Sequence, residues 1–200
     1  MSISIPQDGM TDLIEINEFP TELKLALKGL NNENRQKILL LGAYRHSNPT
    51  SDEDHQKCKD YLINVKHYLI YNGFLDTKLV EDFDDEFSSL PKTASPIHFK
   101  GKSFHYIDNW ADILLFILTS ECDISGVLRE FSHIVESNQE KCNISCILCH
   151  KKIKLSMLTQ ADIKENRLLE NRFNNQKQLN EFAFSASFNL LYESVLRAEK

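Results

Sequence analysis

Apolar positions along the chain alternate between short continuous runs and stripes at helical spacing. The clearest example is Ala111 to Glu136: the run Ile113 to Leu118 (ILLFIL), a polar link containing Gly126, then Val127, Leu128, Phe131, Ile134 and Val135 three and four apart. The pattern predicts strand, turn and helix. In an open α/β sheet, ligands bind outside the carboxyl ends of the strands, which makes Glu121 to Glu130 the first stretch to inspect for function.

The flanking segments repeat the alternation. Lys37 to Tyr44 (KILLLGAY) reads as a first strand covered on both faces. After the polar loop Arg45 to Asp52, with Asp52 or Asp54 as cap, Cys58, Tyr61, Leu62, Val65, Leu69 and Ile70 form a helical stripe that Asn72-Gly73 ends. Phe74 to Val80 suits a second strand nearer the edge, and strand, helix, strand implies the right-handed crossover of a parallel sheet. Residues 88 to 101 read as a long irregular connection, Lys102 to Trp110 as a short helix with Phe104 and Trp110 in the core, and Asn143 to Cys149 as another buried strand.

From Gln160 onward the pattern is helical, and Gln178 to Leu196 is apolar around most of its circumference, as a helix packed on a sheet or at a subunit interface would be. Upstream, Pro20 opens a short helix that ends at Gly29. The expected organisation is an N-terminal extension (1–36), an α/β core of three layers, Rossmann-like in the flavodoxin manner (37–158), and a C-terminal helical segment (159–200). The stretch LKLALKGLNNENRQKILLL also resembles the opening of winged-helix repressors, although no basic recognition helix follows.

Composition narrows the function classes. The 200 residues suffice for one domain with a full core, and the formal charge of -6 with a pI near 5.6 provides no general attraction for a phosphate backbone. No export signal or membrane-length apolar run is visible, which points to the cytoplasm and to reduced thiols at Cys58, Cys122, Cys142, Cys146 and Cys149.

Two candidate metal motifs are weak on chemical grounds. Glu81 to Glu86 lacks the glycine and alternating ligands of a calcium loop and reads as solvated; Cys146 and Cys149 lie three apart on a strand and point to opposite faces. No metal or cofactor is expected.

The stronger candidate is Glu130, on the border between the buried stripe and solvent, about a turn into a helix that starts at the carboxyl edge of the sheet. A carboxylate there can face a ligand while partly desolvated. Asp123 or Ser125 can cap the same helix.

The order of these elements, with KILLLGAY first, Ile107-x-Asn109-x-Ala111-Asp112 before an apolar strand, and then Asp123-x-x-Gly126-x-x-x-Glu130, resembles the nucleoside 2-deoxyribosyltransferase superfamily and uncharacterised archaeal proteins grouped with it. The resemblance covers roughly residues 37 to 155. It implies a carboxylate nucleophile, Glu130, that attacks the anomeric carbon of a nucleoside or nucleotide and forms a ribosyl-enzyme.

It further implies a substrate site containing Gly42, Tyr44, Ser103 and Gly126, with Asp123 handling the base, and a homo-oligomer. The sequence departs from the pattern twice. Asp123 is one residue too far from Glu130, and the acid expected before the central strand is replaced by Ser103, Phe104 and His105, of which His105 could serve as general acid. A non-catalytic nucleotide-binding or interaction module of the same fold is the alternative that these departures motivate.

Overall fold

The computed structural model describes residues 36–83 and 96–198 of the chain. The readings made on 1–35, including the helix from Pro20, and on 84–95 lie outside those residues.

Five parallel strands form a single sheet: β1 (Ile38–Gly42), β2 (Thr77–Leu79), β3 (Ile113–Leu118), β4 (Ser145–His150) and β5 (Leu169–Phe173), in the order β2-β1-β3-β4-β5. Five helices cover it: α1 (Asp52–Tyr71), α2 (Pro96–Asn109), α3 (Ser125–Ser137), α4 (Met157–Glu165) and α5 (Gln176–Ala198). This is the three-layer flavodoxin-like arrangement. Because β1 is the second strand of the sheet, residues 37–44 are not helical, which removes the winged-helix reading.

The central strands are apolar throughout because both their faces are covered. Alternate side chains enter two separate cores. Ile38, Leu40, Leu115, Ile117, Cys146 and Leu148 pack with Leu62, Val65 and Leu69 of α1 and with Leu179 and Ala183 of α5. Leu39, Leu41, Leu114, Phe116, Ile147 and Cys149 pack with Ile107 of α2, Val127, Phe131 and Ile134 of α3, and Ile163 of α4. Cys146 and Cys149 therefore face opposite layers, and among the described residues no cluster of three metal-ligating side chains forms.

Several elements differ from the sequence reading. Ser51, not an aspartate, takes the cap position of α1, while the Asp54 carboxylate accepts from the Thr50 amide and hydroxyl, both at 2.8 Å. The helix α2 begins at Pro96, six residues before Lys102, with proline in the first turn where its missing N–H costs nothing. The stretch read as helical from Gln160 contains β5 (LENRF), whose central Glu170, Asn171 and Arg172 are polar because an edge strand is covered on fewer sides.

The cysteines need a further correction. Cys58 on α1 and Cys122 after β3 form a disulfide across 64 residues, while Cys142, Cys146 and Cys149 are free and buried. No described helix is long and apolar enough to cross a membrane.

Candidate functional site

The chain runs from β1 outward to β2 and then returns across β1 to β3, so the strand order reverses between β1 and β3. At such a reversal the two connections leave in opposite directions and open a crevice at the carboxyl edge. Ala43 and Tyr44 follow β1 at this edge, and residues 119–124 follow β3 there. Gly42 is required by packing: a Cβ there would overlap Leu62 Cδ2 of α1 and stand 3.0 Å from Cδ1.

Glu130 lies in the second turn of α3, between the buried Val127 and Phe131 and the exposed Arg129. Its side chain leans toward α2, where the Ser103 hydroxyl, in a residue 4% exposed, donates to the carboxylate. Burial pushes the carboxyl up to about 7, and the Ser103 hydrogen bond offsets only part of that. Near neutral pH the group is divided between acid and carboxylate.

Tyr44 lies just after β1. Its ring packs on the α1 and α5 core, and its hydroxyl is buried with no hydrogen-bond partner among the described residues. Burial raises its pKa far above the ordinary phenol value, and the charges of Glu81, Glu130 and Asp82 add to this. The Val80 amide acts in the opposite sense without reaching hydrogen-bonding geometry. The phenol is therefore neutral at any physiological pH and keeps its proton to donate.

Glu81 and Asp82, in the turn Val80–Asp82, are held by Lys59 at 2.8 Å and Lys66 at 2.7 Å. Sequence reasoning treated these acids as solvated. The signal available was that Lys59 and Lys66 lie seven apart, on one face of α1, opposite two adjacent acids.

The remaining expected site residues divide. Asp123 is exposed and turned to Ser125: the Ser125 hydroxyl, and then its amide at 3.0 Å, hold the carboxylate below the usual range. It thus satisfies an amide in the first turn of α3. Gly126 sits in that turn with no atom within 4 Å of where a Cβ would be, so no packing requires glycine there.

His105 is exposed on α2, with Nδ1 3.4 Å from the Asn109 amide nitrogen. Two residues along a helix turn about 200°, so the face that brings Ser103 to Glu130 carries His105 away from it. Ser103 hydrogen-bonds Glu130, the charge of Glu130 is felt at the Tyr44 phenol, and Asp123 and His105 lie on the periphery.

Two surface hollows lie elsewhere. One of about 350 Å³ is lined by Phe104, Arg129 and His133 among others, and one of about 270 Å³ by Lys57, Tyr61 and Glu121 among others. Neither is lined by Glu130 or Tyr44.

No family model and no curated protein matches the chain. Among solved structures it is similar to the CMP N-glycosidase BcmB of Clostridium botulinum, with 11% sequence identity and a TM-score of 0.48, over 74% of this chain and 97% of that one. That likeness bears on neither substrate nor mechanism here.

Proposed function

We propose that the protein cleaves or transfers the N-glycosidic bond of a nucleoside or nucleotide, with Glu130 as nucleophile. The observation that carries this reading is the half-buried Glu130 carboxyl on the helix after β3, its pKa pushed up to about 7, with its charge felt at the unpartnered Tyr44 hydroxyl after β1.

A carboxylate stripped of water attacks the anomeric carbon as the bond to the base breaks. The electron pair leaves on the base nitrogen, and the sugar becomes an ester of Glu130. Water or a second base then displaces the sugar and restores the carboxylate. Tyr44, neutral and with its hydroxyl unpartnered among the described residues, is available to donate a hydrogen bond to the bound substrate. Ser103 fixes the rotamer of Glu130.

The test is release of free base from a panel of nucleosides, nucleotides and NAD, comparing the native protein with Glu130→Ala. Release by the native protein alone supports the reading, and equal release by both ends it.

A second reading, a nucleotide-binding module without catalysis, is favoured by one observation: Asp123 and His105, the groups expected to handle the base and its protons, stay at the periphery. A ligand-induced rise in Tm without base release would select it. The active assembly on either reading is a homo-oligomer, and a monomer by light scattering at micromolar concentration would contradict that.

A further inference from the structure

Two loops frame the mouth of the β1/β3 crevice, and they are tied to each other. The Ser47 amide donates to the Glu121 carbonyl at 3.0 Å, the Asp123 amide donates to the Arg45 carbonyl at 2.7 Å, and His46 pairs with Cys122 in an isolated antiparallel bridge. Tyr44 begins the first loop, and the second leads into α3, which carries Glu130.

The pair of loops is then anchored to α1 at one covalent point, the Cys58–Cys122 disulfide, whose Cα atoms are 5.9 Å apart. No other covalent link joins the described residues across the crevice. The backbone ladder of β3 stops at Leu118, four residues before Cys122, so the second loop depends on these few hydrogen bonds, on the His46 amide's bond to His55 Nδ1 of α1 at 3.0 Å through the first loop, and on the sulfur bridge.

We propose that the Cys58–Cys122 disulfide is a redox latch on the mouth of the crevice. Oxidised, it holds residues 44–48 and 119–125 in their stitched arrangement beside Tyr44 and Glu130. Reduced, it frees both loops while the two cores remain packed.

The sulfurs are buried, with Cys58 1% and Cys122 4% exposed, yet Glu121 and Asp123 on either side of Cys122 are exposed. A short local opening of that loop presents the Cys122 sulfur without unfolding the sheet. A dithiol reductant completes the chemistry. One of its thiolates attacks the Cys122 sulfur and expels the Cys58 thiolate, which takes a proton. The second thiol then attacks the mixed disulfide and releases Cys122. The dithiol ends as a disulfide, having given two electrons, and the protein holds two thiols. Disulfides persist in oxidising compartments and are transient in reducing ones, so the latch follows the redox poise around the protein.

Cys142, Cys146 and Cys149 serve as internal standards because they are buried in the cores and already free. The full chain is prepared without reductant, denatured and alkylated with iodoacetamide, before and after dithiothreitol treatment of the native protein. Intact mass is expected to show three labelled thiols before and five after. Hydrogen exchange is then compared between the two forms and with a Cys58→Ser/Cys122→Ser double variant.

Exchange of the amides in 44–48 and 119–125 is expected to rise at least ten-fold on reduction, with β3 and β4 unchanged, and the double variant to match the reduced form and ignore dithiothreitol. Five labelled thiols before reduction would overturn the latch, as would unchanged exchange in both loops. Faster exchange throughout β3 and β4 would also overturn it, since the bond would then be a staple for the whole fold. None of these readouts depends on turnover, so they stand or fall apart from the glycosidic reading.

Discussion

Two carboxylates lie close to α3 and are treated oppositely by their surroundings. Asp108, on α2, accepts from His133 Nε2 at 3.0 Å and from the Asn138 side-chain amide at 3.1 Å, and His133 is stacked on Phe104 at 4.0 Å. Glu130 has one side-chain hydroxyl, Ser103, and otherwise apolar surroundings and a lone phenol. A carboxylate provided with several donors ties two helices together. A carboxylate provided with one donor is left near the midpoint between its two states, where a small change in its environment decides its charge.

The largest expected effect breaks the comparison at Glu130. Glu130→Gln should lower base release by at least about a thousand-fold, the scale on which loss of a covalent nucleophile acts. Asp108→Asn should change it by less than about three-fold, in the same steady-state assay. Equal damage from both would show that the two acids do not differ in role.

Tyr44→Phe should come next, with base release down by roughly ten- to a hundred-fold from loss of one hydrogen-bond donor. Its stability should not fall, because the hydroxyl it removes has no partner among the described residues. A loss of more than about 1 kcal/mol in urea titration would contradict that.

The pH dependence sharpens the contrast further. The carboxyl of Glu130 is raised in the folded chain to about 7 from an ordinary value of 4.5. Between those values the folded protein holds a proton that the unfolded chain has lost, so its contribution to stability is lost as pH rises through that window. Glu130→Gln does not titrate and should be more stable than the native protein by about 1 to 3 kcal/mol at pH 8, and closer to it at pH 4. Base release, needing the ionised form, should rise with pH through about 7 and then level. A fall over the same range would make Glu130 a proton donor instead.

The smallest effect is structural. Gly42→Ala forces a methyl against the fully buried Leu62 and should cost about 1 to 3 kcal/mol, read as a drop in Tm.

The parts of the molecule legible in the sequence are those where burial is two-sided or periodic. ILLLG within KILLLGAY and ILLFIL stand out as strands because each is a continuous run without a polar side chain, and the α3 stripe because its spacing follows the turn of a helix. The strand β5 escaped because Glu170, Asn171 and Arg172 occupy its centre and look like a solvated helix. There Arg172 pairs with Glu170 at 2.6 Å and reaches the Ile153 carbonyl at 2.8 Å.

At the site, Glu130 was visible from its position on a helix border. Its partnership with Ser103 was not legible, since Ser103 stands on a different helix where the resemblance led one to expect an acid, and the Glu81 and Asp82 charges felt at Tyr44 were not visible either, since they come from the turn after β2. The disulfide was hidden for the same reason: 64 residues of chain separate its halves, and only the fold returns the β3 loop to the start of α1.

The outer strands carry a consequence of their own. β2 is three residues long, and β5 presents a glutamate, an asparagine and an arginine in succession. Short or charged borders discourage a neighbour from adding its own strand to the row. Copies of this chain that associate are thereby directed to meet through their helical flanks, and continuous ribbons running from one molecule into the next are disfavoured.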